Sequence, residues 1–125
     1  MPISYNPAWQ IHHHRVPHMH RYFLPVGQGA FYAECFHDDV HCSSPINIVY
    51  DCGTITGTQQ EQEKRIACAA QQTFGSTPPG EQKIVIHAVF ISHFHKDHID
   101  GLPWLLKNFE IRRIYFPLIN PKKNC

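Results

Sequence analysis

Nowhere in this chain of 125 residues do two cysteines stand in C-x-x-C spacing, and no apolar run is long enough to cross a bilayer. Its net charge is close to zero. The five cysteines, at 35, 42, 52, 68 and 125, are odd in number, so neither a zinc ribbon nor a complete disulfide framework is indicated. Reduced thiols in a cytoplasmic setting are expected. A bilayer span needs about 18 consecutive apolar residues, and no stretch supplies them. Met1 to Arg15 carries Pro2, Asn6, Pro7 and His12-His13-His14 without an apolar centre, which excludes a secretory signal. A formal net charge of +1 gives no electrostatic case for a nucleic acid or a membrane surface as partner; nucleic acid remains open, unsupported by charge. With 42% hydrophobic and 17% charged residues the chain is globular in type, and its length limits it to one domain. After Gly101 there is no His and no Asp.

Histidine, by contrast, is abundant, with 11 residues, all but His87 in three concentrations. Ile11 to His20 holds five of them around Pro17. No ligand geometry is fixed there, and residues 1–19 read as a flexible, partly solvated arm. His37 to Pro45, with Asp38, Asp39, His41 and Cys42, reads as a polar connection before a strand. The third concentration is Ser92-His93-Phe94-His95-Lys96-Asp97-His98-Ile99-Asp100-Gly101.

That stretch has the pattern of a metal site. His93 and His95 are two apart, so in extended backbone both imidazoles leave on one face and can converge on a cation. Asp97 and His98 follow where the chain must turn and offer a second N/O pair. Imidazole nitrogen with carboxylate oxygen suits zinc, and less selectively iron or manganese. With His at about 9% and Asp at about 4% of positions, H-x-H-x-D-H arises by chance in roughly a few per thousand chains, so accident is a poor explanation.

His93-Phe94-His95-Lys96-Asp97-His98, between Ser92 and Ile99-Asp100-Gly101, resembles the signature of the metallo-β-lactamase superfamily. Val26-Gly27-Gln28-Gly29-Ala30-Phe31 is similar to that family's opening hairpin. Ile48-Val49-Tyr50-Asp51-Cys52-Gly53 is similar to its strand ending in Asp-x-Gly. The likeness covers residues 20 to 116. It implies an α/β (α+β) fold: the N-terminal half of an αββα sandwich, a mixed β-sheet with helices on one face, over residues 20–125. It further implies His93 and His95 as ligands of one metal, Asp97 and His98 as ligands of a second, and Asp51 as an acid that supports the site's loops.

The remaining segments fit such a half. Gly27-Gln28-Gly29 between aromatic-rich runs is a hairpin turn; it lacks the Lys-Ser/Thr ending of a phosphate-binding loop. Ile46 to Tyr50 is a short strand. Thr58-Gln59-Gln60-Glu61 has the form of a capping box, which predicts a surface helix from Gln59 to Phe74, ended by Gly75. Its apolar side is Ile66, Ala67, Ala69, Ala70 and Phe74. Ile84 to Ile91 is a nearly continuous apolar run, expected as one strand buried on both faces, with His87 a core histidine holding a hydrogen-bond partner. Asp100 is placed to cap a helix starting at Gly101, with Leu102, Leu105, Leu106 and Phe109 on its apolar face. Ile111 to Pro117 is a further strand.

The resemblance implies a metal-dependent hydrolase, with two zinc ions in the complete site and a metal-activated water attacking an ester, phosphodiester or amide. Asp97 is the expected catalytic residue, holding metal and orienting or deprotonating the nucleophile. Two ligands per ion fall short of the three or four of a stable zinc site. The expectation is therefore that a missing C-terminal half or a partner chain completes it, and that 1–125 alone is inactive. The competing reading is a non-catalytic metal-binding or interaction module, in a nucleic-acid-linked or defence system. Half a sandwich also leaves an apolar sheet face open. The substrate is not written in these residues.

Overall fold

The computed structural model describes residues 18–37 and 45–118; the His12–His14 run, and Asp38, Asp39, His41 and Cys42, lie outside them. Strand β1 (His18–Phe23) and β2 (Gly29–His37) form the expected antiparallel hairpin, joined through Gly27 at φ 88°. The strand begins at His18, inside the stretch read from sequence as an arm. Pairing with His37 is what draws it into the sheet.

Strand β3 (Ile46–Thr54) continues well past Tyr50, because its pairing with β2 resumes after an irregularity. Phe31 faces Cys52 and Tyr32 faces Tyr50, which leaves Asp51 as an extra residue in a β-bulge. Helix α1 (Gln59–Phe74) then starts where the capping box predicts. The Thr58 Oγ1 accepts from the Glu61 N–H at 3.3 Å, and the Thr58 N–H donates to Glu61 Oε2 at 3.1 Å. Gly75 at φ 83° closes it, its N–H bonded to Gln71 O. Ile66, Ala69 and Ala70 are buried against the sheet, as the periodicity requires, and Phe74 is half-buried.

The run 84–91 is not one strand. It divides at His87 into β4 (Val85–Ile86) and β5 (Ala88–Phe90), while the expected strand 111–117 divides into β6 (Glu110–Ile111) and β7 (Ile114–Tyr115). Up to Ile86 the run pairs only with β6. At His87 the N–H turns to Asn47 O of β3 at 2.8 Å, and from there the run is held on both sides. The result is a mixed five-stranded sheet in the order β1-β2-β3-β5-β7, and a two-stranded piece, β4-β6. Strands β3, β5 and β7 are mutually parallel. His87 is half-buried, with its Nδ1 accepting from the Asn47 N–H at 3.2 Å, in line with a structural histidine.

Between β5 and β6 lie a single helical turn, α2 (Lys96–Ile99), and α3 (Leu102–Asn108). The residue before α3 is Gly101, not Asp100. Asp100 is helical in backbone and its N–H closes α2 onto Lys96 O, so it is no longer extended as a capping residue must be. Leu105 and Phe109 enter the core, but Leu106 is exposed; half-buried Trp104 packs against the core instead.

One sheet face, lined by Phe31, Ala33, Val49 and Val89, packs with α1 and α3. The other carries a row of rings across all five strands: Phe23, Tyr32, Tyr50, Phe90 and Tyr115, with successive centroids 4.5 to 5.3 Å apart. The mixed sheet with helices on one face agrees with the α/β architecture expected of residues 20–125. No helix among the described residues is long and apolar enough to cross a membrane.

Gly53 is where α2 meets β3: a Cβ there would lie 2.7 Å from the Asp97 carbonyl carbon and 2.8 Å from the His98 nitrogen. Both obstacles are backbone, so neither can swing aside. Gly53→Ala is expected to lower unfolding stability by about 1–3 kcal/mol, read from urea titration. An unchanged midpoint would mean that this approach is looser than it looks.

Candidate metal centre

The centre is built just past the point where the parallel pairing of β3 with β5 ends, on the side where open α/β sheets leave room for a ligand. β3 delivers Asp51 and β5 delivers Ser92 and the histidines. Asp51 holds φ 57°, a left-handed backbone that among non-glycine residues Asp tolerates comparatively well. Bulge and positive φ together give Asp51 a direction that strand alternation alone would not give it.

Its carboxylate gathers the loop. Oδ1 accepts from the Ser92 N–H at 2.7 Å. Oδ2 accepts from the Ser92 hydroxyl at 2.5 Å and lies 3.1 Å from His98 Nδ1. Ser92 Oγ also lies 2.7 Å from His93 Nδ1. Protons can be followed along this chain. A carboxylate only accepts, so the single hydroxyl proton of Ser92 goes to Asp51, and Ser92 Oγ must accept from His93 Nδ1–H. His98 likewise gives its Nδ1–H to Asp51. In both imidazoles Nε2 is then left with a lone pair, the form in which histidine binds a metal.

The four residues singled out by spacing are not equally gathered. Ligand atoms of His93, His98 and Asp51 all lie within 4.8 Å of one another. His95 is exposed and stacks on His93, centroids 5.7 Å apart and planes 13° from parallel. Asp97 is half-buried, its Oδ2 3.7 Å from His98 Nε2. Asp51 joins the geometric cluster, yet both its oxygens are already engaged, which fits an anchor better than a ligand. Ser92 was given no role by spacing. A hydroxyl immediately before the first motif histidine was the available signal.

Cys52 sits next to Asp51 but is not a donor here. It is wholly buried, and burial, reinforced by the neighbouring Asp51 charge, pushes its thiol far up from the ordinary range. Gly101 lets it pack: a Cβ on Gly101 would lie 2.6 Å from the Cys52 sulfur.

The donor set, two imidazoles with Nε2 free, a third beside them and a carboxylate, fits a divalent metal such as zinc. Ser92→Ala removes the hydroxyl that fixes His93 while leaving the backbone bond to Asp51. Metal affinity, measured against a chromophoric chelator, is expected to fall roughly 10- to 100-fold, with Ser92→Thr retaining most of it. Equal affinity in Ser92→Ala would remove the hydroxyl from the centre.

Comparison with known proteins gives the family. A family model described as the metallo-beta-lactamase superfamily matches residues 46–123. Ribonuclease J of Mycoplasma genitalium is 49% identical over 39 residues, which are 31% of this chain and 7% of the relative. Ribonuclease J of Mycoplasma pneumoniae is 46% identical over 39 residues, with the same coverage. The match thus spans a small part of the length of these relatives. No solved structure matches. With more than half of its residues matched by the family model, and the Asp51–Ser92–His93–His98 network at the ends of β3 and β5, the chain belongs to the metallo-beta-lactamase superfamily.

Proposed function

We propose that this chain is the N-terminal, metal-binding part of a di-zinc hydrolase that cleaves phosphodiester bonds of RNA. The observation that carries the reading is the hydrogen-bonded chain Asp51–Ser92–His93, closed by Asp51–His98, which leaves two imidazole Nε2 atoms free, that of His98 3.7 Å from Asp97 Oδ2. The choice of RNA rests on the similarity to two proteins named Ribonuclease J.

In this reading His93 and His95 hold one ion and Asp97 and His98 the other, with iron or manganese as alternatives to zinc. Bound metal supplies Lewis acidity toward a phosphoryl oxygen and lowers the pKa of water toward neutrality. Asp97, half-buried at the start of α2, orients the attacking water and accepts its proton. Asp51 does no chemistry; it keeps His98 and, through Ser92, His93 in the ligand tautomer. The remaining ligands, and a layer to cover the ring-lined sheet face, come from sequence further along or from a partner chain.

Single-stranded RNA, end-labelled, should be cleaved by the polypeptide encoded by the whole reading frame when zinc or manganese is present. Cleavage should stop on chelation and return with metal. Asp97→Ala should slow it roughly 100- to 10,000-fold, the range lost with a general base. Metal bound at His93 and His98 with no phosphodiester cleaved would instead establish the non-catalytic module.

A further inference from the structure

A second concentration of nitrogen and sulfur donors stands at the other end of the sheet, where β2 ends and β3 begins. In the hairpin His18 pairs with His37 and His20 with Cys35. Directly opposed residues of an antiparallel pair share a face, and so do residues two apart on one strand. All four side chains therefore occupy one face, the face on which Phe31 and Ala33 enter the core.

Two of them already touch. Cys35 Sγ lies 3.3 Å from His37 Nε2. A tetrahedral zinc with sulfur at about 2.3 Å and nitrogen at about 2.0–2.1 Å places an S–N ligand pair about 3.5 Å apart. The His20 ring stands edge-on to His37, centroids 5.7 Å apart and planes at 79°.

The surroundings sort ligands from neighbours. Asn47 Oδ1 lies 3.1 Å from Cys35 Sγ and accepts the thiol proton, while its amide is anchored to Val85 O at 2.9 Å. His87, close by, accepts the Asn47 N–H on Nδ1, so its own proton is on Nε2 and it is not a donor to metal. Cys35, His37, Asn47 and His87 line one cavity of about 600 Å³, which gives an ion a way in. A purely structural hairpin end needs one partner for the thiol, and Asn47 supplies it. The His20 ring, exposed on the same face, stands against Tyr22 as well as His37, with centroids 6.4 and 5.7 Å away.

We propose that Cys35, His37 and His20 form a second metal site, for zinc or a similar borderline divalent cation, with His18 placed by register as a fourth ligand. Binding forms a sulfur–metal bond in place of the Cys35 S–H, whose proton leaves to solvent, and a nitrogen–metal bond at His37 Nε2, whose proton is given up while Nδ1 takes one from solvent. The site owes nothing to the Ser92–Gly101 motif, where no ligand is sulfur.

That difference makes it measurable. Cobalt(II) titrated into the purified chain should produce a near-ultraviolet thiolate-to-cobalt charge-transfer band, which nitrogen and oxygen ligands do not give. The band should vanish in Cys35→Ser and persist in Cys42→Ser and in His93→Ala/His98→Ala. His20→Ala and His37→Ala should each weaken cobalt binding more than roughly tenfold with circular dichroism unchanged, and they decide the matter if Cys35→Ser does not fold. No band, a band surviving in Cys35→Ser, or full affinity in His20→Ala would overturn the assignment.

Discussion

The centre depends on one carboxylate being turned out of a strand. Under regular alternation Val49 and Cys52, three apart, cannot both enter the core, and Asp51, two after Val49, would point inward with it instead of toward the loop after β5. The bulge between Tyr50 and Cys52 resolves this with one extra residue and a left-handed φ of 57°. Such a conformation costs of order 1–3 kcal/mol unless its surroundings hold it. Three hydrogen bonds, two from Ser92 and one from His98, are what hold it.

Close approach then follows from the same arrangement. For His98 to reach Asp51, the start of α2 must lie against β3, and only Gly53 leaves room for the Asp97 carbonyl. Gly101 similarly admits the Cys52 sulfur, and its N–H bonds to Cys52 O at 2.9 Å, tying the end of the motif back to β3. The spacing Asp51-Cys52-Gly53 thus combines an anchor, a core residue and a gap. Each has a different physical reason, although they are neighbours.

Much of this was legible locally. Thr58 and Glu61 mark the start of α1 and Gly75 its end, since capping needs only residues within a turn. The motif itself is local, and its spacing alone has the pattern of a metal site. What was not legible is whatever depends on register between distant strands. The bulge at Asp51 exists only against β2, and the break at His87 only because Asn47 of β3 takes its N–H. Asp100 looked like a cap because its residue type favours one, but α2, closed by the Asp100 N–H onto Lys96 O, claimed its backbone first. The strand start at His18 was likewise hidden, as nothing in an imidazole-rich stretch predicts pairing with residues nearly twenty positions on.

Two buried cysteines show how little burial alone decides. Cys52 and Cys35 are both nearly inaccessible, and in both burial pushes the thiol up. Cys52 is packed among core side chains and Gly101, so it acts as a small hydrophobe despite lying beside Asp51. Cys35 has an imidazole nitrogen and an amide oxygen within 3.3 Å and opens onto a cavity, so its sulfur can exchange a proton for a cation. The family motif explains the first environment, which serves the bulge and the centre. It does not explain the second, whose chemistry arises only from pairing His20 with Cys35 across the hairpin.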